Sequence, residues 1–146
     1  MKIEVRIDAA CEETTVQICT SRMSEEIQNL VRVLSQNAPQ RIVGFLEDEA
    51  CILSQEEILR VYAEGGKVYA ETSGGRFALR QRLYELEGRL DEKRFVRISN
   101  AEIVNLSWIK AFDLSFSGTI CVRMKNGVIT YVSRRYVTKI KQVLGL

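Results

Sequence analysis

Residues 95–136 read FVRISNAEIVNLSWIKAFDLSFSGTICVRMKNGVITYVSRRY. The segment holds apolar runs of strand length, and Asn126-Gly127 stands between two of them. Asn-Gly is the strongest short-range signal for a β-hairpin, because both residues tolerate a positive φ angle. Ser133 can then cap a final helix, because apolar side chains recur at helical spacing in residues 137–144. The segment therefore predicts antiparallel strands that lead into a final helix.

Strand-like runs continue upstream of this segment, separated by turn signals at Gly65-Gly66 and Ser73-Gly74-Gly75. Strands are predicted at Ile42–Leu46, Ile58–Glu64, Val68–Thr72, Phe77–Leu79, Phe95–Ser99, Ile103–Leu106, Ile109–Leu114, Thr119–Met124 and Val128–Val132. Short helices are predicted near Ser54–Glu57, which has capping-box spacing, and around Leu83–Leu90, whose leucines share one face. The fold class that follows is mainly β with a few short helices, an α+β protein.

The N-terminal residues predict a small ββα segment. Apolar and charged residues alternate from residue 3 to residue 7, which indicates a half-buried strand. A second strand is predicted at Thr14–Thr20. Ser21 or Ser24 then caps a helix whose apolar residues form a single stripe.

Asn37 and Pro39 mark the end of this segment. The helix is expected to stop near Asn37, and Pro39, the only proline, predicts a boundary. We therefore expect two parts, residues 1–40 and residues 41–146. Two short strands and one helix cannot bury a core alone, so the first part must pack on the rest of the chain or on a second copy.

The charge of the chain is unevenly distributed. The net charge is +2 over 146 residues. From Arg94 to Leu146, however, nine Lys or Arg residues stand against Glu102 and Asp113, a net charge of +7. Residues 1–93 carry the remaining −5. Such asymmetry predicts one face that binds a polyanion such as nucleic acid.

The composition argues against several classes of protein. Histidine is absent, which removes the usual general base and the usual nitrogen ligand of zinc. No GxSxG, Walker A or GxGxxG motif occurs, so neither catalysis nor a metal or cofactor is expected. No apolar run approaches the roughly 18–20 residues that span a bilayer, and the charged first strand does not resemble a secretion signal. A cytoplasmic protein is expected.

The four cysteines form no close pair and no CxxC motif. Cys19, Cys51 and Cys121 stand inside apolar runs, where a free thiol behaves as a small buried hydrophobic group. We expect them to be buried, without a metal or redox role.

Arg134 and Arg135 occupy the predicted first turn of the last helix, where the helix dipole disfavours positive charge. They either face an anion such as phosphate, which helix N-termini bind readily, or pair with surface carboxylates of the acidic half. Lys139 and Lys141 either extend the same positive surface or simply complement the dipole at the end of the helix.

Asn100, in a loop after a strand, either pairs with adenine through two hydrogen bonds or is an ordinary turn residue. Gly65-Gly66-Lys67 is either a hairpin tip that approaches a duplex or only a turn. Trp108 and Asn105 lie among apolar residues. We expect Trp108 to be a core residue with a bonded N–H group and Asn105 to be a buried, fully bonded amide.

Taken in order, Phe95-Val96-Arg97-Ile98-Ser99, Ile103-Val104-Asn105-Leu106, Ile109 and Val132-Ser133-Arg134-Arg135-Tyr136 resemble the LytTR DNA-binding domain family. The match in order and spacing covers some 40 residues, and a weaker likeness extends over residues 42–145. The resemblance implies an elongated sandwich of small antiparallel sheets. It also implies that DNA is held by loops inserted into successive major grooves.

The resemblance also implies the residues that contact DNA. Base contacts would come from Asn100, Arg135 and, in the first loop, Lys67. Backbone contacts would come from Arg97, Lys110, Arg134, Tyr136 and, on the same positive surface, Lys139. The chain departs from the family pattern at Ala101 and Glu102, where the family has serine and an aromatic residue. Glu102 is therefore expected to place a carboxylate beside Asn100.

Members of this family usually carry a receiver domain before the DNA-binding domain, and residues 1–40 are too short for one. We expect a stand-alone, response-regulator-like form in which residues 1–38 form a homodimer that binds paired promoter repeats. The predicted function is sequence-specific regulation of transcription on double-stranded DNA, without catalysis, cofactor, small-molecule substrate or membrane. The alternative is a protein-interaction module that docks an acidic partner or modulates a related regulator.

Overall fold

In this computed structural model of the protein, residues 1–36, 41–115 and 118–146 are described. The chain divides into two compact units, Met1–Pro39 and Gln40–Leu146. Asn37 and Pro39, which the sequence marks as a helix end and a boundary, lie outside the described residues. None of the helices in the described ranges is long and apolar enough to cross a membrane.

The first unit contains one helix, α1 (Glu25–Gln36). Ser24 caps it, because its Oγ accepts a hydrogen bond of 3.3 Å from the backbone N–H of Ile27. Glu25 and Glu26 in the first turn complement the helix dipole. The predicted helix is thus confirmed, and of the two candidate caps it is Ser24 that bonds to the backbone.

The two strands predicted within residues 1–24 are wrong for the single chain, since this stretch forms no strand. Ile3 and Val5 are each 80% exposed and Ile7 is 94% exposed. Alternation specifies which face of a strand is apolar, but a strand also needs a neighbour for its backbone groups, and this chain provides none here. Cys19, predicted to be buried, is exposed for the same reason.

The second unit contains ten strands and two of the helices. Its strands are β1 (Ile42–Leu46), β2 (Glu49–Leu53), β3 (Ile58–Glu64), β4 (Lys67–Thr72), β5 (Gly75–Leu79), β6 (Phe95–Ser99), β7 (Glu102–Asn105), β8 (Ile109–Asp113), β9 (Ile120–Met124) and β10 (Ile129–Val132). The helices are α2 (Leu83–Arg89) and α3 (Val137–Val143). Short 3-10 turns span Gln55–Glu57, Leu106–Trp108 and Arg134–Tyr136. The predicted mainly β fold class with few short helices is confirmed.

Both sheets are antiparallel throughout the described strands. Seven strands form the larger sheet in the order β2-β1-β5-β4-β3-β7-β6, and three form the smaller sheet in the order β10-β9-β8. The predicted Asn-Gly hairpin joins β9 to β10, with Arg123 opposite Ile129 and Ile120 opposite Val132. The order of the larger sheet places β3 beside β7, which brings residues about 40 positions apart in sequence into register.

Two hydrophobic clusters stabilise this unit. One joins apolar residues of β1 to β7 to the leucines of α2, with Leu86 fully buried. The other joins residues of β3, β6 and β7 to the smaller sheet and to Ile140 of α3. Burial of each large aliphatic side chain contributes about 1.5–3 kcal/mol relative to exposure, so these clusters supply the main driving force. The larger sheet is thereby fixed against α2 and against the smaller sheet.

The structural prediction for Asn105 is confirmed, and that for Trp108 is confirmed in its bonded N–H group but not in full burial, since Trp108 is only partly buried. Asn105 is completely buried, donates to the carbonyl of Ile58 at 2.8 Å, and accepts from the N–H of Ser107 at 3.0 Å. The indole N–H of Trp108 donates to the carbonyl of Glu56 at 3.0 Å, and its ring packs against the second hydrophobic cluster. Both side chains therefore fix the Gln55–Glu57 turn to the rest of the sheet.

Candidate nucleic-acid interface

Asn100, Arg135 and Tyr136 come together at one end of the larger sheet, and we call them the Asn100 corner. Asn100 lies in the two-residue turn between β6 and β7, and the other two lie in the 3-10 turn that precedes α3. The Tyr136 hydroxyl donates to Oδ1 of Asn100 at 3.3 Å, and Nη1 of Arg135 lies 3.5 Å from the same oxygen. Two segments separated by 35 residues thus form one surface feature.

The 3-10 turn that carries Arg135 begins after Ser133, which sequence analysis predicted as a helix cap. Its side chain makes no capping hydrogen bond, but its backbone N–H donates to the carbonyl of Ile98 at 2.9 Å. This backbone bond holds the turn against β6, only two residues before Asn100. The corner is therefore positioned by the main chain as well as by its side chains.

Arg97 supports the corner from below. Its Nη2 donates to the carbonyl of Asn100 at 2.7 Å, its Nε to the carbonyl of Ser99 at 3.0 Å, and its Nη1 to Glu87 at 2.8 Å. Its side chain is only 13% exposed. These bonds hold the backbone of the turn in one conformation, so that the guanidinium of Arg97 is committed to the protein itself.

The hairpin between β3 and β4 lies next to the Asn100 corner. The N–H of Ala63 donates to the carbonyl of Ala101 at 2.8 Å, and Gly65 and Gly66 follow at the tip. Both glycines have positive φ, 59° and 78°, which other residues adopt only with strain. Lys67 leaves this tip as an exposed residue opposite Glu64.

Glu102 does not occupy the position that the sequence suggested. It is buried rather than presented beside Asn100, and its Oε1 accepts from Arg60 at 3.2 Å and from the hydroxyl of Thr130 at 3.0 Å. Burial raises the pKa of the Glu102 carboxyl above its ordinary value of 4.5, against the opposing effects of Thr130 and Arg60. Its other oxygen, Oε2, is buried without a hydrogen-bond partner among the described residues.

The fold therefore does not present the Glu102 carboxylate beside Asn100, where the sequence had predicted it. The adjacent guanidinium of Arg60 also bonds to Glu71, so three charged groups form one network below the surface. Sequence analysis missed this network, because Arg60 and Glu102 are 42 residues apart. The only sequence signal is that polar Arg60, Tyr62 and Glu64 alternate with apolar residues in β3, which indicates a polar face.

The exposed basic residues at this end differ in how they are paired. In the described part of the chain, neither Arg134 nor Arg135 makes an ion pair with a carboxylate, and both are exposed. Lys139 lies 3.8 Å from Glu87 and remains half exposed. The alternative in which both arginines pair with surface carboxylates thus finds no support within these residues.

Lys110 belongs to a different sheet from the Asn100 turn and is separate in sequence from the other exposed basic residues. It is exposed on β8 of the smaller sheet, and no described hydrogen bond or ion pair connects it to the Asn100 corner. The structure therefore brings together Asn100, Arg135, Tyr136 and Arg97, and sets the Lys67 hairpin beside them. Within residues 1–36, 41–115 and 118–146, no cluster of His, Cys, Asp or Glu has the grouping that a metal ion needs.

Comparison with known proteins identifies the family of the chain and a solved structure with the same fold. Residues 48–145 match the family described as LytTr DNA-binding domain. The corresponding domain of a methyl-accepting/DNA response regulator from Bacillus cereus has the same fold, with a TM-score of 0.70 and 24% identity, covering 73% of this chain and 97% of that domain.

Relatives that match over nearly their whole length also exist in Staphylococcus aureus. Proteins of strains MSSA476 and NCTC 8325 are each 32% identical over 147 residues, covering all of this chain and 99% of their own length. Both are named HTH-type transcriptional regulators. In the described ranges of this chain, five strands separate α2 from α3, so these two helices do not form a helix-turn-helix.

Proposed function

We propose that this chain, which belongs to the LytTR DNA-binding domain family, regulates transcription by binding double-stranded DNA in a sequence-specific manner through loops rather than through a recognition helix. The observation that carries the proposal is the Asn100 corner. It is an exposed amide and an exposed arginine, joined by a hydrogen bond at one end of the larger sheet, and within the described residues the arginine makes no ion pair.

We assign the base contacts to Asn100 and Arg135. An asparagine amide can bond to adenine, and an arginine can bond to guanine, through two hydrogen bonds in the major groove. Oδ1 of Asn100 already accepts from Tyr136, which orients the amide before DNA is bound. A preoriented side chain loses less conformational entropy on binding, so its hydrogen bonds contribute more to specific affinity.

Lys67 is proposed to contact bases in the neighbouring major groove. The Gly65-Gly66 tip has no side chains that would keep its backbone away from a duplex, and Lys67 follows directly. Glu64, the residue opposite Lys67, is paired with Arg76 at 2.7 Å, so its negative charge is compensated. The tip can therefore approach phosphate without an uncompensated carboxylate beside it.

Phosphate contacts are proposed for Arg134, Lys139 and Lys110, which are basic and exposed. Tyr136 was included among these contacts on sequence grounds, but its only O–H group donates to Asn100, so we propose that it orients that amide instead. Arg97 was included on sequence grounds as well. Because its donors are used by Ser99, Asn100 and Glu87, we propose that it contributes by positioning Asn100 instead. Most of the affinity then comes from the phosphate contacts, with a steep dependence on salt.

Paired substitutions test this division of roles. Arg135→Ala is expected to reduce discrimination between a selected site and random duplex by about 1–3 kcal/mol. Lys139→Ala is the matched control from the same end of the molecule. It is expected to weaken all duplexes to a similar extent and to lower the slope of log K against log salt by about one. Binding would be measured at two salt concentrations, with sites selected from random duplexes.

Two outcomes would contradict the proposal. If both variants lose affinity equally on every duplex, Arg135 does not contact bases. If the wild-type chain binds no duplex at low salt, including DNA upstream of its own gene, DNA binding fails altogether. The protein-interaction module with an acidic partner would then be the better explanation of the charge of +7 in residues 94–146.

We further propose that residues 1–38 form a homodimer, which would place two Asn100 corners on paired repeats. The support is the apolar surface of the first unit, where Ile3, Val5 and Ile7 are exposed. The second unit contains both hydrophobic clusters, so a chain lacking residues 1–38 retains its core. Light scattering should show that this deletion converts a dimer into a monomer of the shortened chain, and an unchanged oligomeric state would refute the dimer.

A further inference from the structure

Residues 2–8, Lys-Ile-Glu-Val-Arg-Ile-Asp, are complementary to themselves when two copies run antiparallel. With Val5 opposite Val5 of the second copy, Lys2 faces Asp8 and Glu4 faces Arg6. Ile3 faces Ile7 on the other side of the strand. Every charged residue thus faces the opposite charge, and every apolar residue faces an apolar one. Such cross-strand pairs are the units that stabilise an antiparallel sheet.

Other registers that keep the apolar residues of both copies on the same face lack this complete complementarity. If the two-fold axis is moved by one residue to Glu4 or to Arg6, that residue faces its own copy and like charges meet at the remaining polar pair. A parallel arrangement in register sets every charge against itself. A parallel arrangement shifted by two residues matches charges, but it lacks two-fold symmetry and leaves an open edge for further copies. An antiparallel axis at Ile3 or at Ile7 also matches charges, but it pairs only Lys2 with Glu4 or only Arg6 with Asp8. The antiparallel register through Val5 is the one that pairs all four charged residues with opposite charges and closes as a dimer.

The single chain leaves these residues without a partner. The exposures of Ile3, Val5 and Ile7 are 80%, 80% and 94%, and the described part of the chain contains no strand that pairs with them. A turn ends the stretch, because the carboxylate of Asp8 accepts from the N–H of Ala10 at 2.9 Å. The stretch is therefore a bounded, seven-residue segment, close to the usual length of a strand.

The alternative partner inside the same unit is less suitable. Thr14–Thr20, the other strand-like run, contains no charged residue, so it offers nothing to the charges of Lys2, Glu4, Arg6 and Asp8. A second copy of residues 2–8 offers a complement to all four. Charge complementarity therefore favours a second copy over a hairpin within the chain.

We propose that residues 2–8 of two copies pair as an antiparallel ribbon whose two-fold axis passes through Val5. This specifies the contact of the dimer put forward above, and it rests on that dimer but not on DNA binding. An isolated two-stranded ribbon is only marginally stable in water. The six apolar side chains of the ribbon therefore need a cover, and the partly exposed apolar residues of α1, Val31 and Leu34 among them, supply it.

Charge reversal tests the register. Glu4→Arg gives a strand with three basic residues and one acidic residue, and Arg6→Glu gives one basic and three acidic. Each variant alone sets like charges at both symmetry-related pairs of positions 4 and 6, so we expect its dimer to dissociate about ten-fold more readily. An equimolar mixture restores both attractions, and its dimer should approach the stability of the wild-type dimer. Light scattering at matched concentration, without DNA, measures this.

Matched controls separate the register from a general charge effect. Glu12→Arg and Arg22→Glu make the same changes of charge in the same unit but outside the paired residues. Both should dimerise as the wild type does. If Glu4→Arg and Arg6→Glu also dimerise normally while removal of residues 1–38 abolishes the dimer, the ribbon is wrong but the dimer stands. If their mixture fails to recover, positions 4 and 6 do not face each other.

Cross-linking tests the axis independently. In a chain with Cys11→Ser and Cys19→Ser, Val5→Cys should form an intermolecular disulfide, because residues directly opposite lie within the range of about 4.4–6.8 Å that a disulfide spans. Ile3→Cys is the matched control and should not cross-link, since residue 3 faces residue 7. Cross-linking by both variants would indicate a parallel pair in register, and cross-linking by neither would exclude an axis at Val5. Either result would overturn the proposal.

Discussion

Arg97 is the basic residue that we propose to position the Asn100 corner from beneath the surface. It donates to Glu87 and to the carbonyls of Ser99 and Asn100, with its side chain 13% exposed. Arg97→Ala should leave the Glu87 carboxylate and the turn carbonyls without these donors. We expect a loss of about 1.5–3 kcal/mol in the free energy of unfolding, because hydrogen bonds to a charged group have about that net value.

The same variant should also weaken the sequence-specific part of DNA binding, since the turn that carries Asn100 loses its support. Lys139→Ala removes the other basic neighbour of Glu87 but from a half-exposed position, so its effect on stability should stay below about 1 kcal/mol. Urea unfolding of both variants measures the difference. Equal stability of Arg97→Ala and wild type would contradict the positioning role.

Glu102 makes a prediction about pH. Its folded pKa is raised above the ordinary value of 4.5 by burial, so its protonated form is the one that the fold favours. The stability that this group contributes is therefore fully present below its unfolded pKa and is lost as pH rises through its folded pKa. Glu102→Gln mimics the protonated form and should not lose this contribution.

The measurement is the difference in unfolding free energy between Glu102→Gln and wild type across that range. The difference should shift in favour of the variant as pH rises from about 4.5, the ordinary pKa of this carboxyl in the unfolded chain. A difference that is constant with pH would mean that the pKa of Glu102 is not raised.

Candidate site residues within one local segment could be identified from the sequence, but their hydrogen-bond and ion-pair partners in distant segments could not. Asn100, Arg135 and Tyr136 were identified through a family resemblance, and the structure places them within hydrogen-bond range of one another. The commitment of Arg97 to Glu87 and the burial of Glu102 depend on contacts between distant elements. Periodicity carries no information on such contacts, because it reports only the face on which a residue lies.

At the scale of elements, the packing of β1 against β5 requires a residue without a side chain at Gly44, because neighbouring side chains lie close to its backbone. A Cβ atom at this position would lie 2.6 Å from Cβ of Phe77 and 2.8 Å from Cδ1 of Leu53. Cβ of Phe77 is fixed to the backbone and cannot move aside without shifting its strand. Gly44→Ala should therefore destabilise the fold by about 1–3 kcal/mol, as overpacking of a core does.

Gly88 provides the matched control for Gly44. It lies inside α2, and nothing lies within 4 Å of the Cβ that alanine would add there. Gly88→Ala should therefore stabilise the protein by about 0.4–1 kcal/mol, because alanine restricts the unfolded chain and favours helix. Thermal unfolding of the two variants should give shifts of opposite sign. Shifts of the same sign would contradict the packing at one of the two sites.

Strands could be predicted from the sequence wherever apolar and polar residues alternate and another strand of the chain is available to pair with. The hairpin at Asn126-Gly127 and the strand Phe95–Ser99 appear as the sequence indicates, since their partners follow within a few residues. The two strands predicted before α1 have the same alternation but no described partner in the chain. Alternation predicts the burial of one face, and a second molecule satisfies it as well as a second strand does.

At the scale of the whole molecule, the two units have different proposed tasks. The second unit holds both hydrophobic clusters and the Asn100 corner, while the first supplies the proposed dimer contact. Removal of residues 1–38 should therefore leave binding to a single site nearly unchanged. Binding to two properly spaced sites should weaken by about 10²-fold or more, because the second contact is no longer intramolecular.

Titration of the deletion variant against duplexes with one or two sites would measure this difference. The double substitution Glu4→Arg with Arg6→Glu preserves the charge pairs and provides the control, with wild-type affinity for both duplexes. If the deletion variant binds both duplexes as tightly as the wild type does, the first unit does not couple two sites.

The distance in sequence between Asn100 and Arg135 has a consequence for incomplete copies of this protein. The turn that holds Asn100 is made well before the ribosome reaches Arg135, and the two meet only when the last strands have docked. A product that ends before Arg135 carries half of the corner but keeps residues 2–8. Under the proposed dimer, such a product would pair with an intact chain and leave the pair with a single complete corner, so early termination would interfere with the intact protein rather than merely reduce its amount.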